Sequence, residues 1–309
     1  MPDSLLCNDT AAVLLARGLD WRRKGMDFRL AVDSCCELPE EWCAGQEVVR
    51  VPLRMTLGEE EFLDDGNLNR RRFLRKMERY PGRPMSACPS PQAWLEAISP
   101  DKPTILLTLS SQLSGSYSSA RIACELSSNP QTAAFDSKTA SAGESLLALR
   151  ILEIAGQCRK FETAVERIQR VLPMQRTFFL LETLDQLVKS GRIGRIAGKL
   201  AGALQVKPVL GSDGDGNIAQ FGRARGSERG MGLLVERLIQ AAGPARGRVV
   251  LSHCENPRAA EELAEILRRK GGFPEVRIAE MSGISSMYAS RGGIVAALFG
   301  SSKQSGTRK

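Results

Sequence analysis

The stretch Thr104-Ile-Leu-Leu-Thr-Leu-Ser-Ser-Gln-Leu-Ser-Gly-Ser-Tyr-Ser-Ser-Ala120 runs from an apolar strand into hydroxyls and a glycine, then into a helical pattern. A loop at the carboxyl end of a parallel strand opens on the ligand crevice of an α/β sheet, and the next helix start offers unpaired N–H groups and a positive dipole end. Ser114, Gly115 and Ser116 therefore have the chemistry of an anion site for a carboxylate or phosphate. The same residues equally suit a plain turn and helix cap. A second candidate is Arg192 in Leu187-Val-Lys-Ser-Gly-Arg-Ile-Gly-Arg195, where a guanidinium can grip a carboxylate with two parallel hydrogen bonds. A helix capped at Gly191, with Lys189 and Arg192 solvated, explains that pattern as well.

Other chemistries are excluded by counting. The chain has one histidine, His253, so multi-histidine zinc or iron sites are ruled out within one subunit, and a Ser-His-Asp triad survives only with His253 as base. Leu113-Ser-Gly-Ser116 lacks the Gly-x-Ser-x-Gly frame of a nucleophile elbow, and Leu251-Ser-His-Cys-Glu-Asn-Pro257 reads as a strand end that caps the following helix. Gly211-Ser-Asp-Gly-Asp-Gly216 lacks the twelve-position frame of an EF-hand and reads as a hairpin or tight turn. The eight cysteines contain no Cys-x-x-Cys pair and read as reduced, mostly buried thiols. No catalytic set, metal or cofactor site follows from these residues.

The elements that must position the candidates alternate. Strands are expected at residues 28–33, 47–53, 104–109 and 131–136, with helices at 68–80, 91–98, 116–126, 142–157 and 163–172, which is the signature of a parallel α/β sheet. Further strands at 177–183, 218–221, 248–252, 276–281 and 294–299 imply a second α/β domain. With 309 residues the chain is long enough for two domains. We expect an extension at 1–27 containing a short amphipathic helix, an N-terminal domain at 28–173, a C-terminal domain at 174–300 and a disordered tail at 301–309. Forty-three Lys plus Arg against thirty-five Asp plus Glu give a net charge of +8, within an otherwise ordinary globular composition. The densest run, Arg70-Arg-Arg-Phe-Leu-Arg-Lys-Met-Glu-Arg79, reads as a solvated basic helix that could also meet an acidic partner or a membrane surface. No nucleic-acid reader is present, and aromatic residues are only 5% of the chain. The sequence offers no run of about 18 uncharged apolar residues, so a cytoplasmic protein is expected.

Taken in order, Val32-Asp-Ser34, Val51-Pro-Leu53, residues 62–65, residues 86–91, Leu113 to Ala120, Phe135-Asp-Ser-Lys-Thr-Ala-Ser141, residues 184–193, Lys207-Pro208 and Arg223-Ala-Arg-Gly226 resemble the DegV family of bacterial fatty-acid-binding proteins. The resemblance covers nearly all of residues 28–300. It implies two α/β domains, an N-terminal Rossmann-like one with a parallel sheet and a C-terminal one with a mixed or antiparallel sheet, holding a long-chain fatty acid in a tunnel between them. It implies a carrier subunit that presents the acid to a separate ATP-dependent fatty acid kinase for phospholipid metabolism, not a catalyst alone, with the bound fatty acid as ligand and no cofactor. By the same resemblance the carboxylate falls to Ser86, Ser114, Gly115, Ser116 and Arg192, with Asp33, Ser34, Ala289, Ser290 and Arg291 as head-group neighbours. Two departures stand out. Ala87 replaces a family serine, and where the family commonly has His-Thr-Gly-Pro-Gly this chain has Ala289-Ser-Arg-Gly-Gly293. The head-group histidine is therefore absent, Tyr288 or Ser290 takes its place if the alignment shifts by one, and Arg291 could supply charge instead. An alternative reading, prompted by that loss, is a binder or enzyme for another small carboxylate or phosphate on the same fold.

Overall fold

The computed structural model describes residues 25–43, 45–194 and 206–301. The expected helix within 1–27 and all but the first residue of the expected tail lie outside the described residues.

The first sheet consists of β1 (Arg29–Asp33), β2 (Glu47–Val51), β6 (Thr104–Thr108) and β7 (Thr132–Asp136), parallel throughout in the order β2-β1-β6-β7. Every residue of β6 is buried, which is why its sequence is a continuous apolar run and not an alternating one. Alternate side chains still separate by face. Ala31 and Leu106 pack with Trp94 of α2 (Pro91–Ala97) and Ala120 and Ala123 of α3 (Ser116–Leu126), whereas Leu30, Val32, Ile105 and Leu107 join the main core.

A three-stranded antiparallel sheet, β4-β3-β5, was not expected from the sequence; it comprises β3 (Arg54–Leu57), β4 (Glu60–Leu63) and β5 (Met85–Ala87). Gly58, at φ +66°, turns β3 into β4. The basic helix α1 (Arg70–Arg79) buries Phe73, Leu74 and Met77 on one face.

The second sheet has the order β10-β9-β8-β13-β11-β12, antiparallel except for the β11–β12 pair. Its strands are β8 (Gln175–Leu180), β9 (Val206–Ser212), β10 (Ile218–Arg225), β11 (Arg248–His253), β12 (Glu275–Glu280) and β13 (Ile294–Phe299). The mixed C-terminal sheet matches the expected fold class, although β9 was not among the expected strands and β10 runs four residues beyond Phe221.

The two sheets meet through α4 (Ala142–Gln157). Thirteen of its sixteen residues are buried, as expected of a helix packed on both sides, and it touches β1 and β6 on one side and β8, β11 and β13 on the other. Gly143 permits this approach, since a Cβ there would lie 2.2 Å from Thr139 Oγ1 and 2.3 Å from Thr177 Oγ1. One core cluster therefore spans both sheets, taking in Val32 and Leu107 from the first and Leu210 and Val295 from the second. The remaining helices are α5 (Phe161–Val171), α6 (Asp185–Lys189), α7 (Ser227–Ala242), α8 (Pro257–Arg269) and α9 (Gly283–Ala289).

Candidate functional site

A cavity of about 360 Å³ opens between the two halves, within the range of about 300–1,000 Å³ usual for small-molecule sites. Its walls are mainly apolar and come from both sides: Leu53, Leu109 and Leu113 from the first half, Phe179, Ile284 and Val295 from the second. A group of its polar donors lies close together. Ser86 on β5, Ser114 and Gly115 before α3, Arg192 after α6 and Tyr288 on α9 all line it.

The local sequence explains each position. β6 delivers the chain to Ser110, whose Oγ and backbone shape the following turn, and α3 then begins at Ser116 with Gly115 as its cap. A Cβ on Gly115 would lie 3.1 Å from Cys88 Sγ, so glycine lets this turn close against the loop after β5. Ser114 Oγ accepts the Ser116 N–H at 3.2 Å, which leaves its own proton to donate. Arg192 follows Gly191, which takes φ +75° to end α6. The glycine caps the helix as that reading expects, but the arginine is half-buried and lines the cavity instead of standing free in solvent. Its Nη1 donates to Ser190 O at 2.8 Å and its Nε to Leu113 O at 3.4 Å, and the guanidinium lies 5.8 Å from the Tyr288 ring centroid. Ser86 Oγ and Tyr288 Oη are 2.8 Å apart.

Several expected site residues sit elsewhere. Ser116, the first helical residue, turns toward the sheet and donates to Asp33 Oδ2 at 2.7 Å; it is fully buried and does not line the cavity. Asp33 accepts that bond together with the Leu109 N–H at 2.9 Å and the Cys35 N–H at 3.1 Å, so it ties three segments at the carboxyl ends of β1 and β6 instead of facing ligand. Ser34 accepts the Leu53 N–H at 3.0 Å and is likewise off the wall. Ala289 does line the cavity. Ser290 and Arg291 do not, and Arg291 is bound to Glu78 and Glu255 on the outer surface, so it cannot stand in for a head-group cation. His253 accepts the Asn256 N–H at 3.2 Å through Nδ1; Asn256 and not the histidine is the residue that caps α8.

Other lining residues were not among the expected site residues, although Thr139 and Ser141 lie in one of the segments that carry the family resemblance. Cys35, Thr139, Ser141, Thr177 and Ser285 contribute polar atoms to the wall, and the β9–β10 hairpin contributes Gly216 and Asn217. The hairpin crosses to the first half, where Ser110 Oγ donates to Gly216 O at 2.9 Å and Ser212 Oγ to Lys138 O at 2.9 Å. Gly216 is required twice, by its φ of +98° and because a Cβ would meet Ser110 Oγ at 2.3 Å.

Beneath the cavity lies a buried acid cluster. Glu37 accepts hydrogen bonds from Ser141 Oγ, Ser252 Oγ and the Ser282 N–H. Asp64 caps α9 through the Gly283 and Ile284 N–H groups. Burial raises the Asp33 carboxyl to about 6 against the pull of its three donors, and it raises Glu37 and Asp64 too. Glu144 is raised well above the ordinary range, first by burial and then by the charges of Asp33 and Glu37; it faces the Asp33 carboxyl, and no hydroxyl or N–H among the described residues donates to it. Ligating atoms of Asp33, Cys35 and Glu144 lie within 4.8 Å of one another. Asp33 already accepts three hydrogen bonds, and burial holds the Cys35 thiol protonated, so this cluster retains protons instead of offering charge to a cation.

The architecture is thus that of a two-domain α/β protein, with a mainly apolar cavity between the sheets and hydrogen-bond donors on its wall. Comparison with known proteins gives it a family: the DegV family model matches residues 27–299, and the chain belongs to that family. It is 30% identical over 276 residues to a DegV domain-containing protein of Streptococcus pyogenes serotype M18, spanning 87% of this chain and 98% of that one. It superposes with a TM-score of 0.84 on a DegV family protein from Ruminococcus gnavus refined with vaccenic acid, at 32% identity over 88% of this chain and all of that one. The Streptococcus pneumoniae Fatty Acid Kinase (Fak) B3 protein, loaded with linoleic acid, superposes with a TM-score of 0.83 at 28% identity, over 89% of this chain and all of that one.

Proposed function

We propose that this chain is a fatty-acid carrier: it buries a long-chain fatty acid in the cavity between its sheets, holds the carboxylate at Ser86, Ser114, Gly115 and Arg192, and presents it to a separate ATP-dependent kinase. The observation that carries this reading is a mainly apolar cavity whose wall brings donors together, Ser86 Oγ lying 2.8 Å from Tyr288 Oη and the Arg192 guanidinium 5.8 Å from the Tyr288 ring centroid, with Ser114 and Gly115 on the same wall. A carboxylate accepts up to about four hydrogen bonds. The Ser114 hydroxyl, the Gly115 N–H at the start of α3 and the Arg192 guanidinium match it in sign and number.

The tail supplies the affinity. About fifteen methylenes at roughly 0.8 kcal/mol each give about 12 kcal/mol gross, partly offset by ordering the chain. Strand β5, which carries Ser86, lies near the surface, Ala87 being exposed and Met85 61% exposed, which is where a kinase would reach the head group. The similarity to a fatty acid kinase binding protein supports that partner. The exposed Arg72, Arg75 and Arg79 of α1 would suit an acidic face on it.

Denaturing mass spectrometry of an organic extract of the purified chain tests the reading. A stoichiometric fatty acid is expected. An empty extract, with no uptake when fatty acids are added, would reject the carrier and favour a small polar carboxylate or phosphate.

A further inference from the structure

We infer that Tyr288 is itself a ligand of the carboxylate, donating its phenolic proton to it while Ser86 orients the phenol, and that this bond makes the site select the free acid over the corresponding alcohol or ester. The inference rests on the carrier reading, adds a residue and a specificity to it, and moves Ser86 from direct contact with the carboxylate to holding the phenol that makes that contact.

The argument starts from how α9 is fixed. Its first turn is held by Asp64, which accepts the Gly283 N–H at 2.7 Å and the Ile284 N–H at 2.9 Å, and by Ser282 Oγ, which accepts the Ser285 N–H at 3.3 Å. Arg70 grips Met281 O at 2.9 Å just before the helix. Gly283 has no room for a Cβ, which would lie 2.3 Å from Leu68 Cδ2 and 2.6 Å from Asp64 Oδ1. The helix is therefore pinned at one end, and Tyr288 sits at the other, on the cavity wall. Its ring is set by the Arg192 guanidinium, 5.8 Å from the centroid.

Counting protons then identifies the donor. Ser86 and Tyr288 carry two hydroxyl protons, and their mutual 2.8 Å hydrogen bond uses one. The other has no protein acceptor among the described residues, so the pair always offers one donor to whatever occupies the cavity mouth. A phenol, with a pKa of about 10, is a far stronger donor to an anion than an aliphatic alcohol. The favoured arrangement has Ser86 donating to Tyr288 Oη and Tyr288 donating to the carboxylate, each bond polarising the next. Arg192 is held by the backbone oxygens of Ser190 and Leu113, which leaves its Nη2 without a partner among the described residues. The phenol and this guanidinium face the same anion from adjacent positions.

The test is displacement of a fluorescent fatty acid by palmitic acid and by hexadecanol, on the wild type, Tyr288→Phe and Ser86→Ala. Phenylalanine keeps the ring and its contact with Arg192 and removes only the donor. In Tyr288→Phe, affinity for the acid should fall about tenfold to a hundredfold, as for loss of a hydrogen bond to a charged group, while affinity for the alcohol stays within about twofold. The alcohol serves as the fold control. Ser86→Ala should lose less for the acid than Tyr288→Phe does. Equal losses for acid and alcohol in Tyr288→Phe would reduce the tyrosine to a wall residue, and a larger loss from Ser86→Ala would make serine the donor; either overturns the inference while leaving the carrier intact. A wild type that binds neither ligand overturns both.

Discussion

The cavity's donor end and the acid cluster beneath it are both polar groups set in an apolar interior, yet their hydrogen-bond balance is opposite. At the donor end Ser114, Gly115, Arg192 and the Ser86–Tyr288 pair have protons to give and too few protein acceptors to take them. In the cluster, Asp33, Glu37 and Asp64 are acceptors, each supplied by hydroxyl or backbone donors. Buried polar groups are costly unless paired. A surplus of donors beside an open volume therefore marks a place where a ligand completes the pairing, and a balanced cluster marks a structural knot. Charge type alone does not separate the two.

The largest effect should come from the part of the ligand that touches neither region. Shortening the acid by eight methylenes removes about 6 kcal/mol of gross burial, whereas Arg192→Ala or Ser114→Ala removes one hydrogen-bonding partner worth about 1–3 kcal/mol. Displacement assays with palmitate and octanoate on the wild type and both variants should rank the losses in that order. A head-group substitution that matches or exceeds the shortened chain would show that the donor end, and not the tail, holds the ligand.

Next in size is the knot. Asp33→Ala strands the Leu109 and Cys35 N–H groups and the Ser116 hydroxyl in a dry interior, and should cost about 3 kcal/mol or more in urea unfolding. Ser114→Ala, two residues before Ser116, should cost little. Asp33 also gives stability a pH dependence. The folded chain keeps this proton up to about pH 6 and the unfolded chain releases it near 3.8, so the native state holds more protons between those values. The contribution of Asp33 is therefore fullest below pH 3.8 and declines by about 3 kcal/mol as pH rises to about 6. Glu37 and Asp64, raised by the same burial, tilt the profile in the same direction. If Asp33→Ala keeps the wild-type slope of unfolding free energy between pH 4 and 6.5, the assignment is wrong.

How far the sequence reveals this arrangement depends on distance along the chain. The alternating α/β pattern and β6 are legible because burial on both faces leaves an unbroken apolar run. The Ser114–Gly115 turn is legible because strand, hydroxyl, glycine and helix are contiguous. The small sheet is not, since β5 has three residues and β4 reads Glu-Glu-Phe-Leu with two exposed acids, too little for any period. β9 is masked by Pro208 and Gly211; it pairs with β8 only at Leu210 and Gly211, so the proline falls outside that ladder. Of three adjacent candidates, Ser116 is lost to the site because helix phase turns it to Asp33, 83 positions away. Tyr288 meets Ser86 across 202 positions, a pairing that no local spacing announces. The DegV resemblance marked Tyr288 and Ser290 alike, and geometry chose between them by placing only Tyr288 on the wall.

Glu144 is the exception within the acid cluster, and it gives the smallest and sharpest test of the contrast. It belongs to the cluster by position and to the under-supplied class by hydrogen bonding, since no hydroxyl or N–H among the described residues donates to its carboxyl, whose neighbour is the Asp33 carboxyl. Burial, and after it the neighbouring carboxylates, raise its pKa well above the ordinary range, so folding favours its neutral form, and among the described residues only the Asp33 carboxyl is placed to share its proton. Ser145, beside it on α4, bonds its own helix and offers it nothing. If pairing decides what each polar group contributes, Glu144→Leu should stabilise the chain by about 1–2 kcal/mol near pH 7, whereas Asp33→Ala destabilises it. Above neutrality the gain should grow, because the unfolded wild type ionises Glu144 freely while the folded wild type resists doing so. Thermal unfolding at pH 6 and pH 9 reads both effects. A destabilised Glu144→Leu at both values would mean that the carboxyl is a working member of the knot, and that the hydrogen-bond balance misjudges this cluster.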